Sequence, residues 1–174
     1  MTSRLALVSF ALSLAACQDA PPAGAPAGAP AGAPVGSAPS ALATPVVPAE
    51  RLQALLPLQI GDMPRTATVA EQDRAMGLTI TRAEGTYGSG PQAVTLLVLD
   101  VGSAEGAALM GLGAPPTGQL NGRPVRRSET PTQASVLVSV GGRYFVEATG
   151  SRVGLDLLDV FVQTVDLSAL PGGG

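Results

Sequence analysis

The sequence predicts an α+β domain: an antiparallel sheet of about five strands with helices packed on one face. Three observations carry this. Short runs of alternating or continuous apolar residues, bounded by glycine and proline, recur from Thr66 to Thr149. A helix-spaced segment, Ala49–Leu56, precedes them, and a longer one follows at about Val153–Asp166. Asn121-Gly122 and Gly141-Gly142 are hairpin-type turns, which join antiparallel neighbours. A sheet curved round the last helix is the alternative arrangement.

In order, Pro48 opens a short helix over Ala49–Leu56, where Leu52, Leu55 and Leu56 share a face and Pro57 ends it. Gly61-Asp62-Met63-Pro64 reads as a turn and Thr66–Ala70 as a first strand. Leu78–Tyr87 alternates clearly. Val94–Val101 is apolar on both sides except at Thr95 and Asp100, the pattern of a central strand covered on both faces. Ser103 can cap a helix from Ala104 to about Leu112, weakened by Gly106 and Gly111 and stopped by Gly113. Arg123–Arg127, with its proline and charges, suits an edge strand.

Ser135–Val140 and Tyr144–Thr149 form the last hairpin. A two-residue Gly-Gly loop would pair Val140 with Arg143 and Val136 with Glu147, mixing charge into an apolar face. A three-residue loop pairs Val140 with Tyr144, Val138 with Val146 and Val136 with Ala148. Patterning favours the second, because a one-residue slip turns a whole face over. The final helix is capped by Ser151. Asp156, Asp159, Gln163 and Asp166 make a solvated polar stripe on it, and Leu157, Phe161 and Val165 are expected to be buried.

Before the domain stands a different kind of sequence. Arg4 precedes an apolar run, Leu5–Leu14, of about ten residues, the size of a secretory h-region and short of the ~20 needed to span a bilayer. Small residues then lead to Cys17, the one cysteine. Leu14-Ala15-Ala16-Cys17 resembles the lipobox of bacterial lipoproteins. The resemblance implies cleavage after Ala16 and lipidation of Cys17. Two or more acyl chains make a stable anchor where one is marginal. With aspartate at position 19 and not directly after the cysteine, the class pattern points to the outer membrane, facing the periplasm, with the inner membrane as the alternative.

The expected organisation is therefore a signal peptide over 1–16, a lipidated tether over 17–48, one domain over 49–171 and a tail over 172–174. Ala-Gly-Ala-Pro recurs at Ala23–Pro26, Ala27–Pro30 and Ala31–Pro34, which is linker composition. About 32 residues of it reach roughly 30 Å as a coil or 100 Å fully extended.

Composition limits the function. The net charge of −3 lacks the basic footprint of a nucleic-acid binder. With no histidine, and with Cys17 lipidated, serine–histidine triads and histidine or thiolate metal sites are unavailable. No cofactor motif, metal-ligand set or catalytic constellation is present. The acids Glu84, Asp100, Glu105, Glu129 and Glu147 leave glycan hydrolysis by two carboxylates as a weak alternative. Arg123, Arg126 and Arg127 are the one basic cluster and the candidate anion-binding residues. The expectation is a non-enzymatic, membrane-anchored envelope lipoprotein that binds or scaffolds an envelope protein. The alternative is a carrier or sensor of a small apolar ligand or lipid, held between the last helix and the sheet.

Overall fold

The computed structural model describes residues 45–75 and 77–172. The signal peptide, Cys17 and the Ala/Gly/Pro repeats lie outside them. The elements are α1 (Ala49–Gln53), β1 (Gln59–Ile60), β2 (Met63–Ala75), β3 (Leu78–Tyr87), β4 (Val94–Asp100), α2 (Ala104–Leu109), β5 (Gly118–Leu120), β6 (Arg123–Glu129), β7 (Ala134–Val140), β8 (Tyr144–Gly150) and α3 (Leu155–Gln163). Short 3-10 turns occupy Gly90–Gln92 and Leu167–Ala169. The fold is α+β, but the antiparallel sheet has eight strands where about five were expected, in the order β1-β2-β3-β4-β8-β7-β6-β5. The strands with no expected counterpart are β1 and β5, too short to show a period, and β2 runs past the expected Thr66–Ala70. Glu71, Gln72, Asp73 and Arg74 give β2 no apolar face, so alternation could not reveal them.

The central strands follow their sequence pattern. β4 sits between β3 and β8, and its even-numbered side chains Val94, Leu96 and Val98 are fully buried. The β7–β8 hairpin takes the three-residue loop that patterning favoured, with Val140 opposite Tyr144 and Val138 opposite Val146. Gly141 and Gly142, both at positive φ, supply the turn within that longer loop. Asn121 and Gly122 are also left-handed and close the two-residue β5–β6 turn.

Helices cover both faces of the sheet, not one. α1 and α3 lie on the face made by Ala83, Tyr87, Val94, Leu96, Val98, Val136 and Val146, and complete the larger core. α2 lies on the opposite face, where Ala107 joins Ile80, Leu99, Val101, Leu137 and Phe145 in a smaller cluster. The reason is strand alternation: Leu99, Leu137 and Phe145 point away from the main core and need their own cover.

α3 starts at Leu155 behind Gly154, later than the expected Val153, and no side chain caps it. Its buried residues are Leu158, Phe161 and Val162, and Val165 follows in the core, whereas Leu157 is 38% exposed. The Phe161 ring meets Tyr87 edge to face at 5.3 Å, and the Tyr87 hydroxyl donates to the Pro57 carbonyl at 2.8 Å.

The domain gathers in chain from before Ala49. Val47 is buried in the main core. Its N–H donates to Asp100 Oδ2 at 2.7 Å. Asp100 is fully buried and holds Arg143 through two hydrogen bonds of 2.7 and 2.8 Å. Arg143 also donates to the Pro45 carbonyl at 2.7 Å. One carboxylate thus ties the start of the domain to β4 and to the β7–β8 loop.

Candidate functional site

The site is built by how α2 ends. Ser103 caps the helix as expected, its hydroxyl accepting from the Gly106 N–H at 3.1 Å. Gly106 is a contact requirement, since a Cβ there would strike the Val101 carbonyl. Its lack of a side chain lets α2 settle close on the end of β4. The helix stops at Leu109, short of the expected Leu112, and the stop signal is Gly111 (φ 70°), not Gly113. The Gly111 N–H donates to Ala108 O at 3.0 Å and the Leu112 N–H to Ala107 O at 2.9 Å. This is a Schellman turn. It folds Leu112 back against the smaller cluster, while Leu109 and Met110 stay exposed.

Behind that turn, Leu112, Gly113, Ala114 and Pro116 form one wall of a groove of about 220 Å³. Ala104, Ala107 and Leu112 line it from α2 and its turn, and Leu137 and Phe145 from the sheet. Arg126 is the one charged residue among the described residues lining it, and Ser139 adds a hydroxyl. Arg126 stands directly opposite Leu137, and Leu137 opposite Glu147, so the three form one row across β6, β7 and β8. The Arg126 guanidinium makes no hydrogen bond or ion pair with the described residues. Glu147 is half-buried: burial pushes its carboxyl above the usual range, and the Arg126 charge offsets part of this. The groove is an apolar slot with one cation at its side, lying on the face opposite α3. The expected space between the last helix and the sheet is instead filled by Leu158, Phe161 and Val162.

The three candidate arginines do not converge, because alternation on β6 sends them to different faces. Arg127 points toward α3 and pairs with Asp159 in a fork, Nε to Oδ1 at 3.1 Å and Nη2 to Oδ2 at 2.8 Å. Asp159 is therefore part of a half-buried ion pair and not of a solvated stripe. Gln163 does reach outward, accepting from the Asn121 amide at 3.0 Å. Arg123 is on the α3 side as well. The Asp166 carboxyl is held below its usual range chiefly by the Ser168 hydroxyl and N–H, with a smaller contribution from Arg123. Arg126 alone faces the groove.

Of the acids, Glu84 and Glu147 share a face, separated by Leu97 of β4. Two strand spacings put their Cα atoms about 9.6 Å apart. Neither lines the groove. Asp100 is spent on Arg143 and Val47. A second, more polar cavity of about 460 Å³ lies beside it, between Pro45 and Val46, the β2–β3 turn, and Gly102-Ser103. The Tyr144 hydroxyl nearby is buried without a hydrogen-bond partner among the described residues. No cluster of three metal-ligating side chains occurs among them, and none of their helices is long and apolar enough to cross a membrane.

Asp100 carried a signal in the sequence, as an acid at the end of the most apolar strand. Glu147 is among the acids the sequence offers, but nothing in the sequence joins it to Arg126, and Ser139 does not stand out, since an isolated polar residue in a hairpin reads as solvent-facing. Comparison with protein-family models, curated proteins and solved structures finds no match to this chain.

Proposed function

We propose that this chain is a lipid-anchored, non-enzymatic protein of the bacterial cell envelope whose domain binds a small apolar ligand in the groove beneath α2. The observation that carries the binding role is the groove itself: an apolar slot beside α2, on the less covered side of the sheet. The anchor rests on Leu14-Ala15-Ala16-Cys17 and the apolar run before it. The outer membrane, facing the periplasm, is its proposed location.

Two experiments test this. Native mass spectrometry of the unlipidated chain, purified from bacteria, should show a co-purified small molecule that leaves on denaturation. A bare protein mass from several growth conditions would count against a carrier. Cys17→Ser should abolish membrane attachment. A mutant that still fractionates with membranes would overturn lipidation.

A second reading, docking of an envelope protein, is favoured by β2. From Thr66 onward β2 has a strand partner on one side only, β3, because β1 reaches no further than Pro64. That leaves a backbone edge on which a partner strand could add. Cross-linking from a photoreactive residue at Val69, which is 52% exposed, distinguishes this reading by capturing a defined protein partner.

A further inference from the structure

We infer that the groove takes a carboxylate amphiphile of about six to ten carbons, its head on Arg126 and its tail against Leu137 and Phe145. The inference rests on the ligand-binding reading above and adds the chemistry of the ligand. An apolar cavity of about 150 Å³ is enough for benzene, so a groove of about 220 Å³ suits a short acyl chain or a substituted ring, not a full-length lipid tail. Leu137 and Phe145 supply the apolar floor, and Ala104 and Ala107 keep the opposite wall thin.

The head group follows from charge. Arg126 is the cation on the wall, its guanidinium makes no hydrogen bond to a described residue, and it stands directly opposite Leu137. A guanidinium presents paired donors that match a carboxylate. Glu147, one strand beyond Leu137 in the same row, makes a single negative charge easier to accept than a double one. A carboxylate therefore fits better than a phosphate monoester.

The test is an NMR titration of the processed chain, residues 17–174 carrying Cys17→Ser so that no lipid is added, using octanoate, 1-octanol and octyl phosphate as probes. Octanoate should bind saturably and move the amides of Ala107, Leu112, Leu137 and Ser139. Octanol and octyl phosphate should each bind at least ten-fold more weakly. Arg126→Gln should weaken octanoate at least ten-fold and leave octanol unchanged, and Arg126→Lys should recover part of the loss. Ser139→Leu, which fills the slot, should weaken both probes, and a thermal melt of each variant confirms that it is folded. Equal affinity for octanoate and octanol, with Arg126→Gln indifferent, would overturn the head-group assignment and leave the apolar site standing. Tighter binding of octyl phosphate, or shifts mapping away from α2 and β7, would also overturn it. If neither octanoate nor octanol binds, the ligand-binding reading falls with it.

Discussion

On one face of the sheet, Val94, Leu96 and Val98 of β4 lie beneath α1 and α3 with no exposure. On the other, Thr95 and Leu97, one residue along, are half-buried, and only Leu99 is sealed. The same strand thus contributes to a closed core and to a partly covered surface. The difference comes from what lies on top. α3 brings Leu158, Phe161 and Val162, and continues into Val165, Leu167 and Leu170. α2 brings Ala107 and the folded-back Leu112. A small-residue helix cannot fill the space above a sheet, and the groove is the volume left over. Stability should concentrate on the first face and ligand contact on the second.

Phe161→Ala is the strongest test of that division. It empties the centre of the closed face and removes the ring against Tyr87, so a loss of about 3–5 kcal/mol is expected from urea unfolding. A loss under about 1 kcal/mol would mean that α3 does not hold the core. Next is Asp100→Ala, which leaves Arg143 largely buried without its carboxylate; about 3 kcal/mol is expected, as for other broken buried pairs. It should also expose the Pro45–Val47 segment to limited proteolysis, and protection equal to wild type would show that the core alone retains it.

Asp159→Ala should cost about 1–2 kcal/mol, above the ~1 typical of exposed pairs and below the cost of a fully buried one. The fork to Arg127 is four-fifths covered at the aspartate. A melting temperature within a degree of wild type would return Asp159 to the solvent.

The groove side should respond weakly, and in one case with the opposite sign. The Glu147 carboxyl is raised in the fold by burial, so the unfolded chain gives up this proton first. Ionising it then works against the fold, and its contribution declines as pH rises from the ordinary carboxylate value through the raised one. Glu147→Gln should therefore raise the melting temperature at pH 7 and leave it near wild type at pH 4. A variant less stable than wild type at pH 7 would show that the charged form is held by the fold. Smallest of all, Arg126→Gln should change stability by no more than about 0.5 kcal/mol, which separates a binding role from a structural one.

How much of this could be read from the residues depended on distance along the chain. β3, β4 and the β7–β8 hairpin were legible because their alternation and turns are local. The boundary of α3 was less so. Val153 fits the helical apolar spacing, yet Arg152 at φ 57° and the cap at Gly154 delay the first turn. The 3, 4, 3 spacing of Asp156, Asp159, Gln163 and Asp166 described a helix face correctly but could not say what it faced. Arg127, 32 residues earlier, decides that for Asp159. The groove was the least legible feature. Arg126 groups with Arg123 and Arg127 as a neighbour in sequence, whereas strand alternation separates them in space. The side on which α2 lies is set by the odd-numbered apolar residues of β4, β7 and β8 taken together, which no single segment displays.

The clamp at Asp100 also has a mechanical meaning. A pull on the chain from the N-terminal side of Pro45 does not arrive at a sheet margin, where strands could be unzipped one hydrogen bond at a time. It arrives at the Arg143 guanidinium and the Asp100 carboxylate, at the end of β4 in the middle of the sheet. The load is divided at once between β4 and the β7–β8 loop, whose strands are flanked on both sides. A domain held at such a point resists tension by shear across its interior ladder, and its two margins, with the β2 edge and the groove near β6, stay out of the line of force.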